Sequence, residues 1–431
     1  MVRKMLAMFL VLAMALGMPA MAEAEKTTVQ FYFPVQLGGA AAELIEQFVA
    51  EFEEQNPDID VDAVFCGAYN DTMTKLTLAL EGGNAPQLCI LDQRLLELIA
   101  MDAVVCLDDY IAADGGDELI NDFYPVYLES GMYDGKHYAL PFQRSVLAMY
   151  YNMDHFAEAG LDANNPPKTW DKLLEVGSKL TVRDDAGNVE RWGVMIANSS
   201  NWQQQSLCIT ASENGSNIFS PDGTEVYFDT DAVKEALQFN LDLVEAGASP
   251  EGVIDEGLLP SNFIEGAVSI ISASSGNLAN IRDSVDFNFG VCLMPGRGDA
   301  AGASIGGGGD MYMIKCDNTT PEQYDAAWRF MRYMTDTEVQ ARWSVGTGYI
   351  ASRVSARDTE TMKNYFEEVP QASVMYDQLD SAYRQLSVFA STEIGELFTN
   401  MCTSVVLGES SIDDAVAYAQ SEADYILEDY R

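Results

Sequence analysis

The chain reads as an α/β protein built of two lobes, and three observations lead there. Strand and helix signals alternate along almost its whole length, as they do when helices cover a largely parallel sheet. Once an N-terminal export segment is set aside, roughly 409 residues remain, more than a single core ordinarily holds. Leu140 to Asn152 then interrupts the alternation: it is extended, starts with Pro141 and shows little helical periodicity, as expected of a passage between lobes.

Met1 to Ala22 carries the marks of a secretory signal: Arg3 and Lys4, an apolar run from Met5 to Gly17, and Ala20-Met21-Ala22 as a small-x-small cleavage site. The apolar run is shorter than the roughly 20 residues of a spanning helix, so a membrane anchor is the weaker alternative. No cysteine stands at the cleavage point, so no lipid anchor is expected; an unanchored exported chain needs a second membrane to retain it, which points to a periplasm. Acidic residues outnumber basic ones 67 to 24, a net charge of −43 that becomes −45 when Arg3 and Lys4 are removed. Such a surface stays soluble and repels nucleic acid and anionic lipid, so neither is an expected partner and no direct membrane insertion is expected.

Seven cysteines, at 66, 89, 106, 208, 292, 316 and 402, form no C-x-x-C pair, and an odd number leaves at least one thiol free or paired with another molecule. Most sit in apolar runs such as VFCG and LCIL, where a thiol behaves as a small hydrophobe. The two histidines, His137 and His155, stand in no H-E-x-x-H setting, so no metal and no cofactor is expected.

Taken in order, Thr28 to Phe33 is a strand that Gly38-Gly39 breaks, and Ala41, Leu44, Ile45, Phe48, Val49 and Phe52 then line one face of a helix closed by Pro57. Ile59 to Phe65 is a strand, Tyr69 to Leu80 a helix ended by Gly82-Gly83, and Gln87 to Leu91 a third strand that delivers Asp92 and Gln93 to its end. Ligands of open α/β sheets bind beyond such strand ends, so Pro34 to Gly38, Gly67 to Tyr69 and Asp92-Gln93 should share one rim. Neither a dinucleotide fingerprint nor a phosphate loop is present, since G-x-G-x-x-G and G-K-[ST] are both missing.

After the crossing segment, Asn165-Pro166-Pro167 marks a loop, and Trp202 to Thr210 and Ala232 to Ala246 read as helices of the second lobe. Ala267 to Ile271 is an apolar strand that ends in Ser272, Ser274, Ser275 and Gly276 before a short helical stretch, Asn277 to Ser284. Ser274 or Ser275 caps that stretch; free backbone N–H groups beside a serine hydroxyl also suit an oxygen-rich or anionic small molecule. Asn288 to Met294 is extended, Pro295-Gly296 is a turn, and Gly306 to Gly309 read as loop before a strand from Met311 to Ile314. Four glycines in succession suit a sharp turn or a close approach of the backbone to something else. Thr320-Pro321-Glu322-Gln323 is a capping box with proline in the first turn, opening a helix with Ala327, Phe330, Met331 and Met334 inward. No internal repeat is visible.

The blocks FIEGAVSIISASSGNLANIR, FGVCLMPG, the glycine run, WSVGTGYIASR, CGAYNDTMTKL and LPFQRSVLAMYYN together resemble the extracellular solute-binding proteins of ABC importers, nearest the glycerol-3-phosphate and maltose group. The resemblance implies a two-lobed periplasmic binding protein of type II, with three interlobe crossings and a ligand cleft between the lobes. It divides the mature chain into a first lobe of residues 23–142 and 288–336 and a second of 143–287 and 337–431. It implies a carbohydrate, polyol or polyol phosphate as ligand, and the membrane permease of an ABC importer, with its ATPase, as partner.

Residue by residue, the resemblance carries ligand contacts onto Tyr69, onto Asp92 or Gln93, Ser145, Ser274 or Ser275, Gly307 and Tyr349. Hydroxyls, a carboxylate or carboxamide, backbone N–H and aromatic faces are the groups that hold sugars and polyols. Each also has a plain structural account, as packing, cap or turn. The phosphate-binding arginine of the glycerol-3-phosphate branch would fall near Glu393, where a carboxylate repels phosphate instead. Arg144 is the cation that could replace it. The reading is therefore a carbohydrate or polyol, with glycerol 3-phosphate or a glycerophosphodiester as the alternative. A secreted hydrolase using Ser274 or Ser275 is the competing class, though it lacks G-x-S-x-G and has no histidine nearby in sequence; a surface adhesin would need repeats or an anchor.

Overall fold

A computed structural model describes residues 26–34 and 40–431, so the signal segment and most of the 34–38 rim expectation lie outside the described residues. The strands in chain order are β1 (Thr27–Phe33), β2 (Ile59–Phe65), β3 (Leu88–Leu91), β4 (Met132–Tyr133), β5 (Lys136–His137), β6 (Ala139–Ser145), β7 (Leu147–Asn152), β8 (Val182–Arg183), β9 (Val189–Met195), β10 (Val268–Ser274), β11 (Phe289–Cys292), β12 (Ser304–Met313) and β13 (Ala382–Arg384). They assemble into two principal sheets. One has the order β13-β12-β3-β1-β2 with β6 added beside β12; the other has the order β11-β7-β10-β9-β8.

Parallel pairing of β1 with β2 and β3 follows from the helices Ala40–Gln55 and Tyr69–Glu81 that connect them. Both faces of this sheet are covered, and the strands alternate between two cores. Phe31, Leu88, Ile90, Met311 and Met313 enter one, while Cys89, Leu91, Tyr312 and Ile314 enter the other. The second sheet behaves likewise: Leu147 and Met149 face the core that holds the Ser391–Val406 and Ile412–Ile426 helices, and Ala148 and Tyr150 face its opposite side. Trp170 lies flat on Phe239 in that core, with ring centroids 4.3 Å apart.

Leu140 to Asn152 does cross between sheets, with Val146 as the single residue between β6 and β7. The return comes later than the 288 boundary implied: β11 pairs with β7 in the second sheet, so the chain leaves only after Cys292. The helix Thr337–Thr347 straddles the lobes, since Val339 and Trp343 pack into the first core and Ala341 into the second.

The glycine run is a strand and not a loop. Gly306 to Gly309 lie inside β12, opposite β6, with a bulge between Gly309 and Asp310. All four positions are crowded, Gly306 least: a Cβ would lie 3.1 Å from the Tyr127 ring at 306, 2.8 Å from the Trp202 indole at 307, and 2.0 Å from the Gln143 carbonyl oxygen at 308. At 309 it would lie 2.7 Å from Ile90. Gly308 also has φ +91°, the left-handed region that glycine alone adopts without strain.

The capping box forms as read: Gln323 N donates to Thr320 Oγ1 at 3.3 Å, and Thr320 N donates to Gln323 Oε1 at 3.1 Å. All seven cysteines are free thiols; four are buried and Cys106, Cys292 and Cys316 are half-buried. Among the described residues no helix is long and apolar enough to cross a membrane, and no cluster of potential metal ligands occurs.

Candidate functional site

A cavity of about 420 Å³ opens between the two sheets. The first sheet supplies Tyr69, at the start of its helix, and Asp92, just beyond β3; Ser145 ends β6 and Gly308 lies in β12. The second sheet supplies Ser274 at the end of β10, and around it stand Ser199 to Trp202, Glu256, Tyr349, Gln385 and Thr399. Strand ends and helix starts converge because the chain turns from one to the other at that edge of each sheet.

The glycine strand is the floor. Without side chains at 307 and 309 the Trp202 indole and the Tyr69 ring settle directly on the backbone. Tyr69 and Tyr349 are joined underneath by one amide: Gln143 Nε2 donates to the Tyr69 hydroxyl at 2.9 Å and to the Tyr349 hydroxyl at 3.2 Å. Each hydroxyl accepts there and keeps its own proton to donate. Burial raises both phenols, Tyr349 to about 12, so they remain protonated donors at neutral pH. Tyr349 is braced from behind by Trp343, stacked with centroids 5.9 Å apart.

Asp92 is held as an acceptor. Arg94 Nε donates to its Oδ1 at 2.9 Å, and the same guanidinium reaches Asn70 Oδ1 at 2.7 Å and the Thr392 hydroxyl. Thr392 N donates in turn to Glu97 Oε1 at 2.6 Å, tying the start of the Ser391–Val406 helix to the first lobe. Beside this contact a second cavity of about 380 Å³, lined by Asn70, Arg94, Ser391, Glu396 and Asn400, shares Asp92, Asn201 and Thr399 with the first.

Trp202 and Glu256 were not anticipated as site residues. Glu256 Oε1 accepts from Trp202 Nε1 at 2.8 Å and its Oε2 from Ser200 Oγ at 2.5 Å, which fixes the indole at the cavity wall. Burial pushes the Glu256 carboxyl up, against the hydrogen bonds from Ser200 and Trp202. A tryptophan opening a helix was visible in the sequence, but its approach to the glycine run comes only from the packing of the two sheets.

Of the anticipated residues, Tyr69, Asp92, Ser145, Ser274 and Tyr349 line the cavity together. Gly307 lies beneath Trp202, and its neighbour Gly308 lines the cavity. Three expectations need correction. Arg144 is fully buried: Nη1 donates to Asp310 Oδ1 at 2.9 Å, Nη2 to the Gly306 carbonyl at 3.0 Å, and the guanidinium lies 4.8 Å over the Tyr127 ring. It bolts β6 to β12 and does not line the cavity. Ser275 is also fully buried, accepting from Val146 N at 3.3 Å, whereas Ser274 both lines the cavity and accepts from Gly276 N at 3.1 Å as the cap. Gln93 is buried and contributes nothing to the lining. Glu393 is exposed in the first turn of its helix; the polar residues that reach the cavity from this region are Gln385 and Thr399.

The family described as bacterial extracellular solute-binding proteins matches residues 47–370. The sn-glycerol-3-phosphate-binding periplasmic protein UgpB of Escherichia coli K12 is 28% identical over 389 residues, which cover 87% of this chain and 84% of that one. Among solved structures, UgpB from Mycobacterium tuberculosis in complex with glycerophosphocholine superimposes with a TM-score of 0.81 at 23% identity, covering 94% of this chain and 99% of that chain. An ABC-transporter solute-binding protein from Thermotoga lettingae bound with α-D-tagatose gives 0.79 at 21% identity, covering 93% and 100%.

Proposed function

From the premise that this chain belongs to the bacterial extracellular solute-binding proteins, we propose that it captures a carbohydrate or polyol lacking phosphate between its lobes and delivers it to the permease of an ABC importer. The observation that carries the choice of ligand is the lining of the cavity: three aromatic rings, Tyr69, Trp202 and Tyr349, with hydroxyls and two carboxylates, and no lysine or arginine among the described residues that line it. Aromatic faces cover the C–H surface of a sugar, while tyrosine and serine hydroxyls and fixed carboxylates take its hydroxyls. A phosphate needs cationic or backbone N–H partners. The two arginines near enough to consider are committed, Arg144 to Asp310 and Arg94 to Asp92.

Closure of the two lobes over the ligand is the signal the permease reads, and the ligand drives it by binding the closed form more tightly. A hydrolase is disfavoured because no imidazole lines the cavity: His155 Nδ1 pairs with Ser269 Oγ at 3.0 Å and His137 Nδ1 with Asp108 at 2.9 Å. The exported chain acts in the periplasm on this reading, in keeping with its periplasmic relatives. A second reading, glycerol 3-phosphate or a glycerophosphodiester, rests on what the relatives are named for. Calorimetry against neutral sugars, polyols and their phosphates separates the two: binding of the neutral class, with compaction in small-angle scattering, is the expected result. Preference for the phosphates overturns the ligand assignment, and a bound ligand that causes no compaction overturns the closure mechanism.

A further inference from the structure

Glu256 is a carboxylate at the wall of this cavity with no positively charged partner among the described residues. Asp92, the other acid of the lining, is matched by Arg94 at 2.9 Å; Glu256 is held by Ser200 and Trp202, with the Gln203 amide nearby, all neutral. An indole N–H can only donate, so Oε1 must accept, and the carboxylate keeps further lone pairs for whatever enters. Removing a carboxylate from water without a counter-charge is costly, and closing the lobes over it raises that cost. Its charge also reaches across to the Tyr349 hydroxyl, whose proton it helps to hold. The neighbouring cavity adds Glu396, while its Arg94 is already shared between Asp92 and Glu97.

Resting on the carbohydrate reading above, we propose that the natural ligand is a hydroxylated molecule bearing a protonated amine, an amino sugar or amino polyol, and that Glu256 is its counter-charge and the residue that sets this specificity. Three features converge on this. Among the described residues the lining is acidic and holds no lysine or arginine. The rings of Tyr69, Trp202 and Tyr349 stand around the same space, and aromatic faces attract an ammonium as well as a sugar's C–H surface. The chain as a whole carries −43, a field that draws cations toward an acidic cleft and turns phosphates away. Glu256 also orients the Trp202 indole, so one side chain serves both the stacking face and the charge.

The test is calorimetry at pH 7 on the mature protein with matched pairs: glucose and glucosamine, galactose and galactosamine, sorbitol and its aminated counterpart glucamine, with N-acetylglucosamine as a neutralised amine. The expected result is that at least one aminated member binds about tenfold tighter or more than its neutral partner, and that acetylation removes the advantage. Glu256→Gln, checked for an unchanged fold by circular dichroism, should cancel the preference, so that the aminated member binds no tighter than its neutral partner. Neutral members that bind as tightly as the amines overturn the charge assignment and leave the carbohydrate reading standing. Failure of every member of the panel counts against both, and the wild-type comparison alone decides the matter if the variant does not fold.

Discussion

Removing the Arg144 guanidinium should unfold this protein more readily without touching its ligand. Both Arg144 and Asp310 are fully excluded from solvent, and they meet at 2.9 Å. Arg144→Ala leaves Asp310 buried without its counter-charge and with only the Ser130 hydroxyl, at 2.7 Å, to satisfy it. Breaking one side of a buried pair costs about 3 to 5 kcal/mol. The Gly306 carbonyl loses its donor as well, and the Tyr127 ring its cation, so the upper part of that range applies. Urea unfolding followed by far-UV circular dichroism measures the loss, with the slope watched for a break from two-state behaviour. The double variant Arg144→Met with Asp310→Leu should recover most of the loss, because removing both charges leaves nothing uncompensated. The reasoning fails if Arg144→Ala costs less than about 1 kcal/mol, or if stability holds while affinity for a phosphorylated ligand collapses. The second outcome would return Arg144 to the role its sequence neighbourhood suggested.

Gly308→Ala forces a Cβ to within 2.0 Å of the Gln143 carbonyl at φ +91°, so its melting temperature should fall sharply; Gly298→Ala, at φ +59° with nothing within 4 Å, should show only the modest cost of the backbone conformation. Comparable melting of the two variants would remove the case for a close approach at 308. His155 is held to about 4 from an ordinary 6.5, first by burial and then by the Arg191 charge. Its folded pKa lies below its unfolded one, so the unfolded chain takes up the proton first and stability is lost as pH falls from about 6.5 toward 4. His155→Gln should flatten the urea midpoint against pH across that window, and an unchanged slope would refute the assignment.

Much of this architecture was legible in the sequence because local rules and tertiary burial agree. The alternation of Thr28 to Phe33, Ile59 to Phe65 and Gln87 to Leu91 with helices required only apolar runs and glycine or proline breaks, and β1 to β3 fall there within a residue. Tyr69, Asp92 and Ser274 were legible for the same reason: they follow a strand or begin a helix, and such positions face the cavity. Arg144 was misplaced because strand neighbours point to opposite faces, and Ser145, one residue away, takes the cavity side; Ser275 was misplaced because it lies past the end of β10, where its hydroxyl is taken by Val146 N. The glycine run read as loop because nothing local announces that Tyr127, Trp202 and Ile90, all distant in sequence, will lie against it. Glu256 carries no signal of its own, since an acid beside Asp255 at the start of a short 3-10 turn acquires its role only when Ser200 and Trp202 come to meet it.

The order of strands in the first sheet also sets a clock. β1, β2 and β3 are complete by Leu91, yet β3 waits for β12, whose Asp310 pairs with Leu91 roughly two hundred residues downstream. Until Met313 has been synthesised, one flank of β3 is open, and the apolar residues that β12 buries against have no partner. The nascent chain therefore stays incompletely folded through about the first seven-tenths of its length, and the non-local closure of this sheet is available only after that. If the chain is exported as proposed, late closure is an advantage: the same strand order keeps the molecule threadable until most of it exists.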